Sequence, residues 1–142
     1  MTVLRTCVVL FAIAAILWPS VPPVSSRPGL AGSEWNVVEL SGARTPNAGT
    51  LRFTQTSVRG RGSCNFFFGA FRESDGRISI AGLFPADERK HDARPRAMPC
   101  NGHWSVERLL LESLRRAASY RIDNGMLVLI DADGRTIARL GA

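Results

Sequence analysis

The sequence predicts an α+β fold in one domain: a strongly bent antiparallel sheet with one amphipathic helix. Three observations predict it. Short segments of alternating polar and apolar residues are separated by tight-turn signals, the pattern of strands joined by hairpins. One stretch, residues 104–119, keeps instead the i, i+3, i+4 apolar spacing of a helix with a core-facing stripe. A chain of 142 residues with 45% hydrophobic and 21% charged content suits a single globular domain and is too short for two.

Residues 1–26 read as a secretory signal peptide, leaving residues 27–142 as the folded domain. Arg5 is the one early charge, residues 7–18 are unbroken apolar, and Pro19, Pro22 and Pro23 end the run before Val24-Ser25-Ser26. The run is well short of the roughly 20 apolar residues that cross a bilayer, so no transmembrane segment is expected after cleavage. The competing reading is an uncleaved anchor. Cys7 stands at the start of the apolar run, where it does not serve lipidation. The expected location is periplasmic or secreted.

Without the leader, two cysteines remain, Cys64 and Cys100. An even pair in a small exported domain reads as a structural disulfide. Closing a loop of 36 residues, it would stabilise the domain by about 3 to 4 kcal/mol. A zinc site needs more ligands than two, and no CxxC spacing exists.

The net charge of +6 falls to +5 once Arg5 leaves, and nearly all the bases are arginines spread along the chain. The densest run, residues 89–96, holds Asp92 and Pro95 and reads as a solvated loop. A nucleic-acid partner would call for a clustered basic stripe, so none is expected. Weak attraction to anionic surfaces such as lipid headgroups is compatible with this charge.

Taken in order, residues 35–40 form a strand closed by Ser41-Gly42, and residues 44–49 are turn chemistry around Pro46, Asn47 and Gly49. Residues 51–54 alternate as a strand, and residues 57–61 pair with it through Gln55-Thr56. Residues 64–71 are the most aromatic stretch, with Phe66, Phe67, Phe68 and Phe71 around Gly69, which allows a bend or bulge. Ser74-Asp75-Gly76 is a hairpin signal before a strand at residues 77–80. Residues 85–99, with Pro85, Pro95 and Pro99, read as an exposed loop.

In the helix at 104–119, Val106, Leu109, Leu110, Leu114, Ala117 and Ala118 form the apolar stripe. Arg115 and Arg116 suit the negative end of the helix dipole. Strands at 119–122, 126–130 and 136–140 follow, joined by Asn124-Gly125 and by residues 131–135. Short connections make the neighbours antiparallel.

These segments resemble the META/HslJ-like family. Leu30-Ala31-Gly32-Ser33-Glu34-Trp35 is similar to its opening L-x-G-x-x-W. Ser63-Cys64-Asn65-Phe66-Phe67-Phe68-Gly69 is similar to its G-C-N-x-F-x-G core, and Met98-Pro99-Cys100 to its M-A-C. Glu107 through Leu114 is similar to its E-x-x-F/Y-L-x-x-L, and Tyr120-Arg121-Ile122 to its closing hairpin. The motif residues carried over are Trp35, Asn65, Phe68, Gly69, Met98 and Glu107. Ser63 in place of glycine, Arg96 in place of threonine and a longer charged segment at 86–95 depart from the pattern.

The resemblance implies a cracked-barrel-like bent sheet, envelope or secreted location, association with stress, and no established enzyme activity. It also places the family's two cysteines at Cys64 and Cys100.

Chemistry is sparse in the sequence itself. His91 and His103 are the only histidines, and no G-x-S-x-G or H-E-x-x-H occurs. Asp131-Ala132-Asp133-Gly134 is better read as a β-turn than as a calcium loop, because its glycine comes early and no closing glutamate follows. Glu107 and Glu112 make a poor acid–base pair. Gly60-Arg61-Gly62 lacks the length of a phosphate cradle.

The expectation is therefore no catalytic residue, no metal and no cofactor. The protein would be a monomeric, stress-associated envelope accessory that binds a protein, peptide or lipid. The alternative is a lipocalin-like carrier or barrel-type protease inhibitor, which a cavity lined by Phe53, Phe66, Phe68 and Phe71 would favour over a filled core.

Overall fold

The computed structural model describes residues 29–86 and 104–142. Nine strands and one helix are described: β1 (Glu34–Leu40), β2 (Ala43–Arg44), β3 (Gly49–Phe53), β4 (Ser57–Gly62), β5 (Phe66–Ser74), β6 (Arg77–Ala86), α1 (Trp104–Arg116), β7 (Ala117–Asp123), β8 (Met126–Asp131) and β9 (Thr136–Gly141). Three hairpins turn on two residues with positive φ, as their sequences predict: Ser41-Gly42, Asp75-Gly76 and Asn124-Gly125. Asparagine, aspartate and glycine tolerate that left-handed backbone best, and its twist matches that of the flanking strands.

Every strand pairs antiparallel with its neighbour, and β1 also pairs with β9 from Asn36↔Gly141 to Leu40↔Ala138. The sheet is therefore a closed eight-stranded barrel, with β2 as a short appendage. This corrects the expectation of a bent, cracked-barrel-like sheet. Strand β1 divides its length, meeting β3 through residues 34–36 and β9 through residues 36–40, and so serves both ends of the sheet. The thinnest seam is β6–β7, joined by the registered pair Arg77↔Ser119.

Two further expectations change. The helix ends at Arg116 and Ala117 already belongs to β7, opposite Asp131, so the apolar stripe passes into a strand without a turn. Strand β6 runs to Ala86, so Pro85 lies opposite Phe67 in the ladder rather than in a loop. Met98, Cys100, His91, His103 and the rest of the 87–103 segment lie outside the described residues, as does the predicted signal peptide.

Apolar side chains of the described residues pack into the interior. Leu51, Phe53, Val58, Phe71, Leu127, Leu129 and Leu140 are fully buried, and the Phe53 and Phe71 rings meet at 4.8 Å between centroids. Helix α1 lies across the barrel end where β3 begins and β4 ends, and buries Leu110 and Leu114 in the same core. At the other end Leu30, fully buried, is held by a chain of bonds. Its N–H donates to Glu73 Oε2 at 2.9 Å, the Tyr120 hydroxyl donates to Glu73 Oε1, and its carbonyl accepts from the Ser33 hydroxyl. Both ends are stoppered.

Gly69 sits where the β5–β6 register shifts, as its bulge reading required, and a Cβ there would meet Leu83 Cδ2 at 2.8 Å. Among the described residues no helix is long and apolar enough to cross a membrane.

Candidate functional site

Two carboxylates are buried among the described residues, Glu107 and Asp131. Glu107 stands in the first turn of α1, where the helix dipole favours a negative charge. Its Oε2 accepts from the backbone N–H of Cys64 at 2.9 Å and of Asn65 at 2.7 Å, and its Oε1 accepts from Asn65 Nδ2 at 2.7 Å. The carboxylate thus fastens the irregular β4–β5 connection to the helix start. A glycine is required beside it, since a Cβ at Gly62 would lie 2.7 Å from Oε2.

Asp131 ends β8 and organises the turn into β9. Its Oδ1 accepts from the N–H groups of Asp133 and Arg135, and its Oδ2 from Arg116 and Arg135 guanidinium groups. The backbone N–H of Arg135 above all, then its side chain, and the Arg116 side chain hold this carboxyl below the usual aspartate range, against the opposing effect of burial. The turn reading of residues 131–134 therefore has a physical basis: the oxygens a cation would use are occupied by donors.

Among the described residues, no group of three or more His, Cys, Asp or Glu is placed to hold a metal. Glu112, exposed on the helix, does not share the Glu107 environment. Gly60 is no cradle either, since Phe67 and the Thr50 carbonyl crowd it.

The predicted motif residues separate. Trp35 is buried at the stoppered end, its indole N–H donating to Ser33 Oγ at 2.7 Å. Asn65 and Glu107 meet directly, a pairing across 42 residues that local sequence reasoning did not supply. The four phenylalanines offered as a cavity lining divide between two faces of the wall. Phe53 and Phe71 point inward, whereas Phe66 and Phe68 lie half-buried on the outside. Parity decides this: Phe67 lies between them and packs inward.

The outer surface of β3–β6 is the most distinctive feature. In register across it run Arg52↔Arg59, Arg59↔Phe68 and Phe68↔Phe84, with Arg61↔Phe66 in the adjacent row. The Arg59 guanidinium lies 5.8 Å from the Phe68 centroid and that of Arg61 5.5 Å from Phe66, both within cation–π range. The Phe68 and Phe84 rings approach to 6.0 Å. Further along the same face stand Arg72 opposite Ser79, and Arg77 opposite Ser74.

Five exposed arginines therefore share one face with three half-buried rings, and no outward position on these four strands is acidic. Glu34, on β1, closes the rim by pairing with Arg52 at 3.0 Å. The face leads into an open groove of about 1050 Å³ ringed in part by Arg72, Arg77, Arg115 and Arg116. Arginines that look scattered in the sequence are thus gathered by antiparallel pairing, which replaces the expectation that they form no cluster.

Comparison with known proteins agrees with this architecture. A solved DUF4847 family protein from Bacteroides vulgatus is similar in fold, with 14% identity, a TM-score of 0.57, and coverage of 79% of this chain and 93% of that one. A second structure, solved by NMR, matches at 20% identity with a TM-score of 0.53, covering 78% of this chain and 89% of the other. No curated protein matches the chain. The META domain family matches residues 28–142, so nearly all that lies beyond the predicted leader is accounted for. The chain belongs to the META domain family.

Proposed function

We propose that this protein is an exported, stress-associated envelope accessory that acts by binding through the outward face of β3–β6, without catalysing a reaction. The observation that carries the reading is that face: five exposed arginines and three aromatic rings in register, with no acid among them. Arginine and aromatic side chains are the ones that concentrate binding energy at protein surfaces. The buried carboxylates add support, because Glu107 and Asp131 have their oxygens engaged in holding turns. A carrier would need interior space, and the contact of Phe53 with Phe71 inside a barrel stoppered by α1 and Leu30 favours the accessory reading.

Retention by isolated cell envelopes tests it. The wild-type protein is expected to co-sediment with envelope fractions, and the double variant Arg59→Gln/Arg61→Gln to remain in solution. Equal retention of the two, with both folded by circular dichroism, would overturn the assignment of this face.

A further inference from the structure

We infer that the partner of this face is the phosphate layer of an anionic lipid bilayer; this rests on the binding role proposed above. The first support is charge complementarity. Arg59, Arg61, Arg72 and Arg77 are spread over three adjacent strands with no outward carboxylate between them, and Arg52 on the fourth is paired with Glu34 at the rim. Neighbouring strands lie about 4.8 Å apart, so the cations cover a two-dimensional field rather than a single line. A planar array of phosphates matches a field; an extended polyanion matches a line. Guanidinium groups suit phosphate because their fork of donors engages two oxygens at once.

The second support is what lies beneath the cations. Phe66, Phe68 and Phe84 form the apolar floor, and two of the arginines already lie over ring faces. Aromatic rings beneath long basic side chains combine apolar contact at the headgroup boundary with charge in the headgroup layer. The same stacking disfavours single-stranded nucleic acid, which would need the ring faces of Phe66 and Phe68 for its bases. The groove beside Arg72 and Arg77 offers a recess at the edge of the field.

Vesicle flotation of the full-length chain tests the inference. The vesicles are either equimolar phosphatidylglycerol and phosphatidylcholine, or phosphatidylcholine alone. Three proteins are compared: wild type, Arg59→Gln/Arg61→Gln, and Arg44→Gln/Arg121→Gln, whose exposed arginines lie off this face. All carry the same N-terminal segment, so its contribution cancels. Each arginine at an anionic surface contributes roughly a fivefold change in partitioning, so the first variant should lose about twenty-five-fold on the anionic vesicles. The control variant should lose much less, and raising the salt should erase the difference.

An equal effect of Arg59→Gln/Arg61→Gln on both vesicle types, equal loss in both variants, or preference for an oligonucleotide over anionic vesicles would overturn the inference. Loss of envelope retention in Arg59→Gln/Arg61→Gln without any binding to anionic vesicles would assign the face to a protein partner. That result ends the lipid inference and leaves the binding role standing.

Discussion

The side-chain amide of Asn65 donates to the carboxylate of Glu107 at 2.7 Å, joining the β4–β5 connection to the first turn of the helix. Two backbone N–H groups converge on the same carboxylate, which is buried at 4% relative exposure. A Glu107→Gln variant keeps the shape and replaces one acceptor oxygen by a donor, so at least one buried N–H loses its partner. The expected cost is about 2 to 4 kcal/mol, read as a lower midpoint in urea unfolding with an unchanged slope. A double-mutant cycle with Asn65→Ala should show that the two effects do not add. Additive losses would mean that the two residues do not act as a unit.

Asp131 gives the fold a dependence on acid. Its carboxyl is depressed below the ordinary aspartate value of 3.8 in the folded protein, chiefly by the Arg135 N–H, so its stabilisation is fully present above that value. The contribution falls away as the pH drops below 3.8 and through the folded-state value. Asp131→Asn should therefore melt below the wild type at pH 6, and the gap should narrow as the pH is lowered towards 2. A gap independent of pH would assign the effect to the turn's geometry alone.

Close approach at Gly60 is a packing requirement. A Cβ there would come within 2.3 Å of both the Phe67 ring and the Thr50 carbonyl. Gly60→Ala should destabilise by about 1 to 3 kcal/mol, the range for overpacking. Gly141→Ala, where the nearest atoms lie at 3.6 and 3.7 Å, should be nearly neutral. Thermal melts of the two variants make the comparison.

Leu30 closes the barrel end opposite the helix and is fully buried. Leu30→Ala should cost about 2 to 4 kcal/mol through lost burial and the cavity left behind. It should also raise the fluorescence of a hydrophobic dye in the folded state. A variant as stable as wild type would show that this end needs no stopper.

A bridge between Cys64 and Cys100, the latter outside the described residues, would close a long loop. Reductant should lower the melting temperature of the isolated protein by an amount corresponding to about 3 to 4 kcal/mol for a loop of 36 residues. Identical melts with and without reductant would count against the bridge.

The sequence alone determined the turns, most of the strands and the helix's apolar face. Each is a local matter: Asp75-Gly76 and Asn124-Gly125 favour the positive φ they adopt, and Leu110 and Leu114 share a face by helical spacing. It also carried enough order in its motifs to indicate the family.

Closure of the barrel needed the tertiary structure, because pairing of β1 with β9 joins residues a hundred positions apart and no local pattern encodes it. The helix's end depends on tertiary structure for a related reason. Ala117 and Ala118 continue an apolar spacing that fits a helix, and only the pairing of β7 with β8 draws them into a strand. In the run Phe66-Phe67-Phe68 every residue is apolar, so alternation cannot say which rings face inward. Register against Arg59 and Arg61 decides it. The same register turns arginines spaced irregularly from 52 to 77 into one basic face, since antiparallel strands place residues side by side according to their distance from the turn, not from one another.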